Sequence, residues 1–155
     1  MANFIHTAGT SGLLTSAPVA ANASTELSGL ANAGLATSAT VLSQSSYNNA
    51  AQGFIELNVV STGWAVSAGG CISGWYLLSR DGGTTYEATN SAALGRAPDF
   101  IIALPTATIA AGRYYSPLVP LPYLTHKFYL QNNTGATTSA NSHIISVLPV
   151  ADTYA

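Results

Sequence analysis

Phe54-Ile55-Glu56-Leu57-Asn58-Val59-Val60 decides the fold class of this chain. Ile55, Leu57 and Val59 fall on one face and Glu56 and Asn58 on the other, the period of two that a half-buried strand requires. Glu56 on this reading is a solvent-facing position. Working outward, Ile72 to Ser79 forms the next strand, with Trp75 and Leu77 opposite Tyr76 and Leu78. Asp81-Gly82-Gly83 then predicts a turn back into Thr84-Thr85-Tyr86-Glu87, because glycine supplies the positive φ of tight hairpin turns. Further strands are expected at Phe100 to Leu104, Tyr114 to Val119, His126 to Gln131 and His143 to Leu148, with Asn132-Asn133-Thr134-Gly135 joining the last two. Prolines 98, 105, 117, 120, 122 and 149 sit at run edges or in loops, where a missing N–H does little harm. No helical period persists beyond a turn or two after residue 50. The pattern is that of an all-β sandwich or barrel.

Of 155 residues only 6% are charged, against about a quarter in an average soluble domain, and Ser and Thr together number 34. The net charge is −2, and the only basic side chains are Arg80, Arg96, Arg113 and Lys127. Affinity for nucleic acid rests on clustered Lys and Arg facing phosphates, so no nucleic-acid partner is expected. The first twenty residues lack Lys, Arg and a sustained apolar core, so no secretory signal is read there. The longest apolar runs fall well short of a membrane span, and no membrane partner is expected. Cys71 alone allows no intrachain disulfide. Weak colloidal protection by charge fits a protein that spends its life inside an assembly.

Residues 1–50 read differently, as an extended N-terminal arm partly packed on a β-sandwich domain of residues 51–155. They hold one charged side chain, Glu26, and two aromatics, Phe4 and Tyr47, among Ala, Ser, Thr, Gly and Asn. So little apolar area offsets poorly the entropy of ordering the segment. Its leucines Leu13, Leu14, Leu27, Leu30 and Leu35 are the candidate partner contacts. Leu27 and Leu30 are spaced for one helical turn after Ser24 or Thr25, either packed on the domain or docked on another chain. On this division, deletion of residues 1–40 should leave a folded sandwich.

Catalytic chemistry finds little footing. Cys71 would need His126 or His143 beside it to form a thiolate, and Gly69-Gly70-Cys71-Ile72-Ser73 carries no nucleophile signature. The two histidines, on neighbouring strands of one hairpin, would lack a third metal ligand. Glu56, Asp81, Glu87 and Asp99 are the carboxylates from which a hydrolytic pair would come, with Asp81 better explained as a turn residue. No phosphate-loop, GxSxG or HExxH motif occurs. Neither an enzyme, a cofactor nor a metal is expected. Trp64, Trp75, Tyr76, Tyr86, Tyr114, Tyr115, Tyr123 and Tyr129 could line a sugar-binding groove once the core has been served.

The order of several features resembles a known group. Thr25-Glu26-Leu27-Ser28-Gly29-Leu30-Ala31-Asn32 comes first, then Tyr76-Leu77-Leu78-Ser79-Arg80-Asp81-Gly82-Gly83-Thr84-Thr85-Tyr86-Glu87. Pro120-Leu121-Pro122, Lys127-Phe128 and Asn132-Asn133-Thr134-Gly135 follow. Together they resemble small virion structural proteins of tailed bacteriophages, over residues 24–148. There a T-E-L-x-x-L-A-N segment precedes a β-sandwich with a YLLxSxDGTxYE hairpin, and one departure here is the extra glycine of Gly82-Gly83. The resemblance favours a jelly-roll-like antiparallel β-sandwich over an immunoglobulin-like one, whose Cys…Trp…Cys spacing is missing. It implies a capsid decoration, or cement, protein on the exterior of the virion, made in the host cytoplasm. The major capsid protein would be its partner, with self-association as a dimer or trimer. A tail or fibre module binding host glycans is the alternative.

Overall fold

The computed structural model describes residues 19–22, 27–47, 49–60, 63–87, 94–140 and 143–150. The strands are β1 (Val19–Asn22), β2 (Leu35–Thr37), β3 (Gln52–Val59), β4 (Cys71–Ser79), β5 (Phe100–Ala103), β6 (Gly112–Tyr115), β7 (Val119–Pro120), β8 (Thr125–Asn133) and β9 (Ile144–Val150). A 3-10 turn spans Gln44–Tyr47. One sheet runs β1-β9-β3-β6, with β7 also on β3, and the other runs β2-β8-β4-β5. All pairings are antiparallel.

The connectivity is that of a jelly roll. β1, β2, β3 and β4 pair in turn with β9, β8, β6/β7 and β5, as if one long hairpin had been rolled so that successive strands alternate between two sheets. β6 and β7 act as one edge strand interrupted at residues 116–118. Ser116 bridges the break: its N–H donates to Ile55 O and its hydroxyl accepts from Ile55 N, both at 2.9 Å.

Between the sheets the alternating faces meet. Ile55, Leu57 and Val59 pack against Ile72, Tyr76, Phe100, Ile102, Phe128, Leu130, Ile145 and Val147. Each such side chain is worth roughly 1.5–3 kcal/mol of burial. Gly74 faces this core because the Phe100 ring fills its place; a Cβ there would lie 2.1 Å from Cζ. Trp75 and Leu77 point the other way, as expected, and join Tyr129 in a second cluster outside the sheet, with Leu35, Tyr86 and Leu94 packed on it.

Four expectations are corrected. Residues 84–87 form no strand: both sides of β4 are already occupied, by β8 and β5, so the turn at Asp81 leads into a loop over the outer face. β8 and β9 lie in different sheets, so residues 134–143 cross the sandwich instead of closing a hairpin. Glu56 is not solvent-facing but 2% exposed, covered by Arg113 from the neighbouring edge strand at 3.1 Å. The sandwich also begins before residue 51. β1 joins β9, β2 joins β8, Leu42 bridges His126, and Leu27, Leu42 and Tyr47 are core residues. Hydrogen bonds replace the apolar area this segment lacks: Ser38 N donates to Phe128 O at 2.8 Å, and Phe128 N donates to the Ser38 hydroxyl at 2.9 Å.

Candidate functional site

The leucines expected at a partner contact separate. Leu13 and Leu14 lie outside the described residues. Leu27 is fully buried in a turn over residues 27–29, so the folded chain does not present it to a partner. Leu30 is half-buried against the core, and Leu35 is half-buried against the Trp75, Leu77, Tyr129 cluster. The Leu27 to Leu30 segment is thus packed on its own domain.

What holds it there is Asn132, on β8. Its amide donates to Leu30 O (2.8 Å), Ala31 O (3.1 Å) and Ala136 O (2.8 Å), and its Oδ1 accepts from Thr134 N (3.1 Å) and Thr134 Oγ1 (2.7 Å). Thr138 donates its hydroxyl to Leu27 O and accepts from Leu30 N. Gly135 N donates to Asn32 Oδ1 at 2.8 Å. The Leu27–Asn32 and Asn132–Gly135 motifs, about a hundred residues apart in sequence, are one hydrogen-bonded unit. Sequence reasoning read them as separate turn signatures, because nothing local announces the pairing.

The few charges are consumed in the same inward-looking way. Arg96 Nη1 reaches both Asp99 oxygens (2.8 and 2.7 Å), while Nη2 donates to Tyr76 O (2.8 Å) and Glu87 (3.3 Å). Tyr76 N donates to Asp99 at 2.7 Å, and Trp75 Nε1 to Arg96 O at 3.0 Å. Lys127 Nζ stands 4.8 Å from the Tyr86 ring centroid, a cation–π distance. Asp81 accepts from Thr85, Ser79 and Thr84, and these bonds, the Thr85 hydroxyl first, hold its carboxyl well below the usual range. Arg80 is the exposed cation outside these pairs.

Glu87, Arg96 and Asp99 share an open cleft of about 280 Å³ with Tyr76, Leu78 and the Pro120-Leu121-Pro122 segment. Next to it Tyr123 is 76% exposed. Of the aromatics considered for a sugar groove, Trp64, Trp75, Tyr76 and Tyr129 are buried, and Tyr115 and Tyr123 are the exposed ones.

The candidate catalytic residues are not assembled. Cys71 and His126 sit at opposite ends of the β4–β8 ladder, seven register positions apart, which is roughly 23 Å at the strand rise. The Cys71 thiol hydrogen-bonds the Ser73 hydroxyl, at 3.7 Å. His126 Nδ1 lies 2.8 Å from Leu124 O, so it carries the proton, and Nε2 accepts from the Tyr47 hydroxyl at 2.6 Å. His143 instead packs tilted against Trp64, ring centroids 5.0 Å apart, and bonds Ser139 at 2.8 Å. Among the described residues no three His, Cys, Asp or Glu side chains gather as metal ligands do, and no helix is long and apolar enough to cross a membrane.

No family model, curated protein or solved structure matches the chain.

Proposed function

We propose that this chain is a structural protein of a tailed-phage virion, seated on the outer surface of the head as a decoration protein that stabilises the capsid lattice. The observation that carries the reading is the treatment of charge. Among the described residues, Glu56, Asp81, Glu87, Asp99, Arg96, Arg113 and Lys127 are all engaged within the chain and Arg80 is the exposed charge outside these pairs, so the surface around the jelly-roll scaffold carries little unpaired charge. Such a surface suits lasting contact with protein more than the capture of charged ligands. The motif order, which resembles that of virion structural proteins, supports the same reading.

The mechanism is multivalent. One subunit that touches two capsid subunits raises the effective concentration of its own second contact. Preference for the mature lattice then stabilises that lattice by mass action. The copy number of this chain in purified particles, by quantitative mass spectrometry against the major capsid protein, tests the reading. A ratio of the same order as the shell protein is expected. A ratio far below it places the chain at the tail, where the exposed Tyr123 ring beside the cleft would serve glycan binding and a glycan array becomes the next measurement.

A further inference from the structure

A sheet edge with unpaired main-chain groups is a template for another strand, and proteins block such edges with proline, charge, bulges or brevity. The four lateral edges of this sandwich differ in that respect. β1 slips register between Ala20 and Asn22, and β2 is three residues long. The β6/β7 edge carries Arg113, is broken at residues 116–118 and contains Pro117 and Pro120. β5 is also short, at four residues, and Asp99 N donates to Gly74 O at its start, but Phe100-Ile101-Ile102-Ala103 is itself uncharged, free of proline and in unbroken register with β4.

Its open side can be read from the ladder. Leu104 N donates to Gly70 O at 3.1 Å, so by antiparallel alternation Ile102 with Ile72 and Phe100 with Gly74 are the hydrogen-bonded pairs. The N–H and C=O groups of Ile101 and Ala103 therefore point away from β4, where the sheet ends among the described residues. The Ile101 side chain is exposed beside them.

We propose that β5 is a self-association edge, at which a second copy of this chain adds its own β5 antiparallel about a two-fold axis at Ile102. The edge is self-complementary. Ile101 of one protomer faces Ala103 of its partner and the reverse, and each pair exchanges two hydrogen bonds. Pro105, lacking an N–H, ends the ladder. A net charge of −2 sets little repulsion against the approach of two copies. So short a ladder buries less than a standard interface, so the dimer dissociates on dilution. The inference rests on the fold alone and not on a place in the virion.

Sedimentation velocity of the full chain over a dilution series tests it, with amide hydrogen exchange of the 100–104 segment at each concentration. Wild type should pass from monomer to dimer as concentration rises, with protection of the Ile101 and Ala103 amides rising in parallel. Ala103→Pro removes an outward-pointing N–H and should stay monomeric. Ile101→Lys alters only an exposed side chain and should weaken dimerisation at least tenfold with an unchanged circular dichroism spectrum. If Ala103→Pro misfolds, Ile101→Lys decides alone. A wild type that is monomeric throughout, dimerisation unaffected by Ile101→Lys, or dimerisation without protection at 101 and 103 overturns the proposal.

Discussion

At the residue scale, several polar side chains are buried in the sandwich, His126, Asn132 and His143 among them. His126 and His143 are both fully buried, and burial holds both rings below the ordinary histidine value of 6.5, partly offset by hydrogen bonds to Leu124 and Ser139. The unfolded chain therefore takes up protons below pH 6.5 that the folded chain refuses. Stability contributed by the neutral rings is complete above that value and is lost as pH falls toward the folded pKa, at up to about 1.4 kcal/mol per pH unit for each ring. A melting temperature that is flat above pH 7 and declines between pH 6.5 and 5 is expected; no decline in that window would falsify the assignment. Asn132 is the other such residue. Asn132→Ala removes five hydrogen bonds, although Leu30 O, Ala31 O and Ala136 O keep Thr138 N, Gly34 N and the Thr134 hydroxyl as donors, and chemical denaturation should show a loss of about 2 kcal/mol.

At the scale of elements, the edge strand β6 shows how a polar pair is built by register. Asn58 faces Arg113 and Glu56 faces Tyr115 across the β3–β6 ladder, and Arg113 reaches diagonally to cover the Glu56 carboxylate. Arg113→Ala would remove both the cover and the cationic partner of that carboxylate, leaving the Tyr115 hydroxyl beside it. A loss of stability is expected, smaller than for a fully buried pair because Arg113 itself is half in solvent. In a double-mutant cycle, Glu56→Ala with Arg113→Ala should cost clearly less than the two single changes added; strict additivity would mean that the pair does not couple. The alternation of β3 places Glu56 opposite the core face, which is legible in the sequence. Its burial is not, because the covering residue comes from a strand 57 positions later.

At the scale of the whole molecule, the early chain belongs to the sandwich. Deleting residues 1–40 would remove β1, β2, Leu27 and the Ser38 bonds to Phe128, so a cooperative thermal transition should be lost. Deleting residues 1–18 spares all of these and should keep the transition. On the proposed function that shorter deletion, which removes Leu13 and Leu14, should also lower occupancy on the capsid; normal occupancy would take the arm out of the partner contact. Strand existence was readable from the sequence alone wherever apolar residues alternate, as at Ile55, Leu57 and Val59 or at Trp75 and Leu77, because a half-buried strand imposes a period of two on its own residues. Low charge and the lack of a basic cluster were equally plain. The pairing of Leu27–Asn32 with Asn132–Gly135, the cover over Glu56, the absence of a strand at residues 84–87 and the open edge of β5 were decided only in three dimensions. Each depends on which strand lies beside which, and in a jelly roll those neighbours are set by contacts between distant parts of the chain that leave no local periodicity.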